Sequence, residues 1–279
     1  MPLARDCLFI HIPKCSGTSI EVALGVTVDY PDIGLAPTVT NPHMATLFGG
    51  GLQHLTVREV CSGYADVAGS RAKFSFSVVR DPIDRFLSHF LWKHYRFTDA
   101  PLDWGHVKSA LLADIEVLAD LADVNEIFQR PFAGFEYCEG NSYTVGLNEL
   151  GRHLLPQCAY LFNRGRVPLD AIYCMESIEA LEHDLLRRGA ISAPLPHRMV
   201  SANREALREQ LPVDAERLLR RVYRHDLRLH AHVRDSLRVG RVCAGCDLEF
   251  LVPQDEKPQA ARPRASLSEG SICPRKLWL

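Results

Sequence analysis

Short apolar runs alternate with polar turns along the first third of the chain. Residues 7–12 (CLFIHI) predict a short, mostly buried strand, and residues 73–79 (KFSFSVV) predict a second one. Each run leads through a turn into a segment with apolar residues every three or four positions, which is the period of an amphipathic helix. The pattern therefore predicts two successive strand–turn–helix units.

Residue types at the ends of these segments fit helix starts and stops. Thr18 or Ser19 would cap the first helix and Gly25 would end it, and Pro82 suits the first turn of the second helix. Further along, the periodicity predicts helices over 106–122, 177–188 and 214–231, a brief helix over 56–61, a strand over 171–174, and irregular chain over 31–53 and 131–165. This succession is typical of an α/β domain with a small parallel sheet.

Composition favours a soluble enzyme. Of the 279 residues, 47% are hydrophobic and 24% are charged, which is ordinary for a globular protein. The net charge of −2 provides no basic field for nucleic acid, and no apolar stretch approaches the roughly 18 residues of a membrane-spanning helix. Nine cysteines, an odd number, indicate free thiols in a reducing compartment. We therefore expect a cytoplasmic protein without a nucleic-acid or membrane partner.

The character of the chain changes toward its C-terminus. Residues 254–274 are rich in proline, alanine, serine and charged residues, which is typical of flexible chain. We therefore predict a main domain over 1–239 and a C-terminal extension over 240–279. Within the extension, Cys243 and Cys246 supply only half of the four ligands of a structural zinc site, so we expect no metal there.

The turn after the first strand, residues 13–19 (PKCSGTS), has the composition of an anion site. Backbone N–H groups at a helix start lack intrahelical partners, and Gly17 would let the backbone approach a ligand. Lys14 adds a positive charge, and Thr18 and Ser19 add hydroxyl donors. The lysine precedes the glycine, so this is not a Walker A motif, in which the lysine follows the second glycine. A plain turn with a surface lysine is the alternative.

A second candidate anion site follows the second strand. Arg80 stands between that strand and the helix that begins near Pro82, where a guanidinium can bind phosphate oxygens through two N–H groups. Ser88, two turns into the helix, offers a hydroxyl. Alternatively, Arg80 pairs with Asp81 or Asp84. Two such turns, each with a cation and a hydroxyl, suit the two ends of a bis-phosphorylated nucleotide.

Both turns resemble the donor-binding motifs of sulfotransferases that use 3′-phosphoadenosine 5′-phosphosulfate (PAPS). Residues 9–19 (FIHIPKCSGTS) resemble the 5′-phosphosulfate motif, and residues 76–88 (FSVVRDPIDRFLS) resemble the 3′-phosphate motif. Weaker similarity is found at 54–60, 153–157, 173–176 and 222–227. The resemblance covers roughly residues 7–232 and is strongest to the carbohydrate 2-O-sulfotransferases and their bacterial relatives.

The resemblance implies a P-loop-like three-layer α/β fold with a small central parallel sheet flanked by helices. It also implies in-line transfer of a sulfuryl group from PAPS to an acceptor hydroxyl, with release of the 3′,5′-bisphosphate (PAP) and without a metal. Lys14 would then bind the 5′-phosphosulfate and stabilise charge on the bridging oxygen. The 5′-phosphate would be held by Ser16, Gly17, Thr18 and Ser19, and the 3′-phosphate by Arg80 and Ser88.

An acceptor hydroxyl also needs a general base. His54 is the first candidate, because imidazole titrates near neutral pH and the residue lies in a family-like segment between the donor motifs. Glu59 and His153 are the other candidates. Asp81 stands where asparagine is common in the family, and its charge next to Arg80 is expected to weaken nucleotide binding.

The expected acceptor is a glycan or another small molecule, and the default is a sugar hydroxyl. Two other functions are compatible with the fold: an ATP-dependent P-loop kinase-like enzyme and a non-catalytic nucleotide-binding module. The position of Lys14 argues against the kinase, and the presence of Lys14, Arg80 and Ser88 argues against the module.

Overall fold

A computed structural model describes residues 3–25, 54–57, 60, 73–95, 103–120, 153–163, 166–196, 203–245 and 247–248. The strands are β1 (Leu3–Ala4), β2 (Cys7–Ile10), β3 (Phe74–Val79) and β4 (Ala171–Cys174). The helices are α1 (Gly17–Ala23), α2 (Pro82–Tyr95), α3 (Trp104–Asp120), α4 (Gln157–Leu161), α5 (Ile178–Arg187), α6 (Arg204–Glu209), α7 (Val213–Val222) and α8 (Arg224–Arg238). A 3-10 turn, Met175–Ser177, joins β4 to α5.

The described strands form one sheet in the order β1-β2-β3-β4. Strands β2, β3 and β4 run parallel, and β1 pairs antiparallel with β2 at the edge. All residues of the three parallel strands are buried, as expected when helices cover a parallel sheet. The predicted α/β domain with a small parallel sheet flanked by helices is confirmed.

Two apolar clusters hold the described elements together. The first surrounds the sheet, where Phe9 stacks on Phe76 with ring centroids 5.1 Å apart. The second lies between helices and contains residues from α2, α3, α6 and α7, including Phe86, Leu111 and Leu219. The apolar face predicted for α2 is thus buried, which explains the regular spacing of its large side chains.

Several elements differ from those predicted. The helix predicted over 214–231 is two helices, α7 and α8, separated at Tyr223, whose hydroxyl donates a buried 2.8 Å hydrogen bond to the carbonyl of Leu154. Helix α4 lies in a stretch predicted to be irregular, and β1 and α6 were not predicted. The loop predicted over 31–53 lies entirely outside the described residues. The brief helix predicted over 56–61 is described only in part.

The first residues after the predicted domain boundary contact the sheet. The carbonyl of Cys243 accepts the N–H of Ile172 in β4 at 2.8 Å, and the N–H of Gly245 donates to Leu169 at 3.1 Å. Cys243 and Leu248 are buried in the sheet cluster. These residues therefore pack with the main domain, while the proposed division into 1–239 and 240–279 stays a prediction.

None of the helices in the described ranges is long and apolar enough to cross a membrane. The cytoplasmic location stays a prediction.

Candidate active site

The two candidate anion turns lie side by side. Strands β2 and β3 are parallel neighbours, so their carboxyl ends meet at the same edge of the sheet. In the first turn, Lys14 and Ser16 have positive φ angles of 67° and 61°. A left-handed residue followed by a helical one, as at Ser16 and Gly17, directs successive N–H groups to one side and forms a concave anion site.

Gly17 is required by a close contact with His11. A Cβ atom at this position would overlap the His11 imidazole ring. That ring is buried, and its Nδ1 lies 2.8 Å from Oε1 of Glu21 in α1. His11 is thus a buried histidine that packs against Gly17 and supports the turn.

Lys14 lies beside an aromatic surface from α2. Its Nζ is 5.2 Å from the centroid of the Trp92 ring, within the range of a cation–π interaction. The same indole stacks on His153, with ring centroids 4.9 Å apart and an interplanar angle of 28°. The ammonium group of the first turn and the candidate base His153 are therefore brought to one place.

Arg80 connects the two turns directly. Its Nη1 donates a 3.1 Å hydrogen bond to the carbonyl of Lys14. Its own backbone is held by the Gln157 side chain, whose Oε1 accepts the Arg80 N–H at 2.9 Å and whose Nε2 donates to the Arg80 carbonyl at 2.8 Å. The backbone N–H of Gln157 donates in turn to Asp226 at 2.7 Å. Burial lowers the pKa of Arg80, although a guanidinium stays charged at neutral pH.

Arg85 adds a second connection that the sequence reasoning missed. This side chain is 1% exposed, and its Nε and Nη2 donate to the carbonyls of Pro13 and His153 at 3.0 and 2.8 Å. It thereby ties α2 to the first turn and to the segment before α4. Ser88 is buried one turn further along the same helix.

The carboxylate of Asp81 caps the N-terminus of α2. Its Oδ1 accepts the N–H groups of Ile83 and Asp84, both at 3.0 Å, as a helix N-cap does. The same oxygen lies 3.3 Å from Nη1 of Arg208, which also binds Asp84 at 3.0 Å. Part of the negative charge expected to weaken nucleotide binding at Arg80 is therefore compensated by Arg208.

His54 lies beside the first turn with one nitrogen oriented by the backbone. Its Nδ1 is 3.1 Å from the carbonyl oxygen of His11, and a carbonyl can only accept. Nδ1 therefore carries the hydrogen, and Nε2 is the basic nitrogen of the neutral ring. The His54 ring lies edge-on to His11 and His153, with centroids 4.5 and 5.1 Å away.

His153 is buried, as His54 is. Its Nδ1 is 3.2 Å from Nδ1 of His89 in α2. Burial lowers the pKa of both rings well below the usual value, and the positive charges of Lys14 and Arg85 act in the same direction. Both are therefore neutral near pH 7, and a lowered pKa makes His153 a weaker proton acceptor than an ordinary histidine. Glu59, the remaining candidate, lies outside the described residues.

The α2 residues at the site share a signal that was present in the sequence. Arg85, His89 and Trp92 follow one another at intervals of four and three, so they lie on one face of the helix. Polar and aromatic side chains on the same helix face as Ser88 could have indicated a site rather than core. Gln157 carried no comparable signal, because its partners are distant in the chain.

Comparison with known proteins identifies the family. The chain matches the model of the sulfotransferase family over residues 5–231, a range that includes both turns and all three candidate bases. The chain belongs to the sulfotransferase family and is accordingly a transferase. Neither the curated proteins nor the solved structures include a match. The predicted family is therefore confirmed at this level, and the carbohydrate 2-O branch is not.

Proposed function

We propose that the protein transfers a sulfuryl group from PAPS to an acceptor hydroxyl and releases PAP, without a metal in the chemistry. The observation that carries the proposal is the hydrogen bond from Arg80 to the Lys14 carbonyl. It joins a lysine turn and an arginine turn at the ends of adjacent parallel strands, as a nucleotide with phosphates at two positions requires. A P-loop-like fold is part of this proposal and is supported by the two strand–turn–helix units.

In this proposal the two turns hold opposite ends of the donor. The backbone at Ser16 and Gly17, with the hydroxyls of Thr18 and Ser19, binds the 5′-phosphate. Lys14 binds the phosphosulfate, while Arg80 and Ser88 bind the 3′-phosphate. Because the fold fixes these groups before the donor arrives, little reorganisation accompanies the charge that develops in the transition state.

The acceptor oxygen attacks sulfur in line with the bridging oxygen. The new S–O bond forms as the bond to the bridging oxygen breaks, and PAP leaves with that electron pair. Lys14 stabilises the charge on the leaving oxygen, and the hydroxyl proton passes to Nε2 of His54. His54 suits this role because its Nδ1 hydrogen is held by the His11 carbonyl.

A sugar hydroxyl is the acceptor class we propose, on the basis of the branch that the motifs resemble. The half-buried indole of Trp92 lies within 5.2 Å of the Lys14 ammonium and supplies a flat apolar surface next to the transfer site. Such a surface suits one face of a ring that carries hydroxyl groups.

The test is transfer of labelled sulfate from PAPS to a panel of glycans, phenols and lipids, with ATP as the competing donor. We expect His54→Ala to lower kcat by about 10²–10⁴-fold while PAP binding is kept, because only proton transfer is lost. His183→Ala, an exposed histidine on α5, is the matched control. Magnesium-dependent phosphate transfer from ATP, or unchanged kcat in His54→Ala, would contradict the proposal.

A further inference from the structure

A second cluster of chemically active side chains lies at the carboxyl end of β4. Cys174 ends the strand, Glu176 lies in the following 3-10 turn, and His230 projects from α8. One potential ligand atom from each residue lies within 4.8 Å of the others. Three different elements thus bring a thiol, a carboxylate and an imidazole together, and the proposed sulfuryl transfer uses none of them.

The three groups already share hydrogen bonds through one oxygen. Oε2 of Glu176 accepts the Cys174 thiol at 2.6 Å and lies 3.0 Å from Nε2 of His230. The other oxygen, Oε1, accepts the backbone N–H of Asp81 at 2.9 Å. The carboxylate is therefore oriented from outside the cluster, which is what a metal-binding carboxylate requires of its surroundings.

We infer that Cys174, Glu176 and His230 form a binding site for a zinc-like divalent cation. A thiolate, an imidazole nitrogen and a carboxylate oxygen are the donor types of tetrahedral zinc sites, and three protein ligands leave one position for water. In such a site neighbouring ligand atoms lie about 3.5 Å apart. Small side-chain rotations would therefore convert the hydrogen-bonded cluster into a ligand set.

The charges and protons of this reaction balance. The cation displaces the thiol proton, which passes to solvent, and binds Cys174 as thiolate and Glu176 as carboxylate. The hydrogen that His230 donates from Nε2 to Glu176 is also lost to solvent, and the neutral imidazole binds through Nε2 with its hydrogen on Nδ1, taken up from solvent. Two negative ligands neutralise the two positive charges of the ion, so no net charge is left in a place where Cys174 is fully buried and the His230 side chain is 7% exposed. Glu176, with 36% of its side chain exposed, is the route of entry.

The site is separate from the proposed donor turns but adjacent to one of them. Glu176 holds the N–H of the residue that follows Arg80. A cation bound at Oε2 would replace the two hydrogens that Cys174 and His230 donate to this oxygen, and it would leave the hydrogen bond from the Asp81 N–H to Oε1 in place. The inference does not depend on the proposed function, since it concerns binding of the metal alone.

The test is titration of the reduced, chelator-treated full chain with Co²⁺, followed by competition with Zn²⁺. We expect one equivalent of Co²⁺ to bind with a thiolate-to-metal charge-transfer band, and Zn²⁺ to remove the band. Cys174→Ser should abolish the band, and Glu176→Gln should weaken Co²⁺ binding at least about tenfold, a loss of ~1.4 kcal/mol. Circular dichroism of each variant checks that it has folded.

A control distinguishes cobalt binding at this site from binding at Cys243 and Cys246. Cys246→Ser breaks the Cys243/Cys246 pair and should leave the band unchanged. Glu176→Gln retains the thiol and provides the test if Cys174→Ser does not fold. A missing band in the unsubstituted protein, or a band lost in Cys246→Ser and kept in Glu176→Gln, would overturn the inference.

Discussion

Replacing Gln157 tests whether the arginine turn is positioned from behind, because this residue does not contact PAPS in the proposal. Its side chain is fully buried and forms both hydrogen bonds to the backbone of Arg80. Gln157→Met keeps an unbranched side chain of similar length and removes both the acceptor and the donor. The Arg80 N–H and carbonyl then lose these partners in a place where both residues are buried.

The size of the effect follows from these two bonds. Leaving a buried polar group without its partner costs about 1–3 kcal/mol, and the gain from burying a thioether offsets part of the total. We expect the free energy of unfolding to fall by about 2–4 kcal/mol. Since the same bonds fix the turn that carries the Arg80 guanidinium, we also expect PAP affinity to fall about tenfold, or ~1.4 kcal/mol.

Urea unfolding measures the first effect, and calorimetric titration with PAP, well below the midpoint of unfolding, measures the second. Gln210→Met, an exposed glutamine at the end of α6, is the matched control and should change neither quantity. If Gln157→Met binds PAP with the original affinity, the claim that this side chain positions the arginine turn is refuted. If its unfolding free energy is also unchanged, the two hydrogen bonds carry no net stability.

Three further predictions use independent contacts. Tyr223→Phe removes the buried hydrogen bond to the Leu154 carbonyl and should lower the free energy of unfolding by about 1–2 kcal/mol, measured in urea. Because burial lowers the pKa of His153, its contribution to stability is complete above the ordinary value of 6.5 and is lost as pH falls. The melting temperature should therefore fall less between about pH 7.5 and 5.5 in His153→Gln than in the unsubstituted protein. An equal fall in both proteins would count against this prediction. Gly17→Ala should displace the His11 ring and abolish PAP binding in titrations, whereas unaltered binding would show that the turn tolerates a Cβ atom.

The sheet and its first helices could be predicted because their signals are local. Buried parallel strands are apolar along their length, and α2 keeps its apolar side chains at helical spacing. The break at Tyr223 could not be predicted in this way. Apolar residues continue in phase from α7 into α8. The helix is interrupted at Tyr223, whose hydroxyl donates a hydrogen bond to the carbonyl of Leu154, 69 positions earlier in the chain.

The candidate site shows the same division between local and distant information. Lys14 and Arg80 could be predicted as site residues because each follows a strand within a short motif, and their roles stay predictions. The hydrogen bonds of Gln157 join positions 77 residues apart, and no pattern along the chain encodes such a pair. The compensation of the Asp81 charge by Arg208 spans 127 positions, and for that reason the sequence alone suggested a weakened site.

The most direct test of the central claim is calorimetric titration of PAP, without magnesium, into the protein and into Lys14→Ala. Lys108→Ala, an exposed lysine on α3, is the control for loss of a positive charge. If the two turns form a PAPS site, PAP binds the unsubstituted protein and Lys108→Ala equally, and Lys14→Ala weakens binding at least about tenfold, or ~1.4 kcal/mol. PAP binding that does not change in Lys14→Ala, or no PAP binding to the unsubstituted protein, would contradict the account.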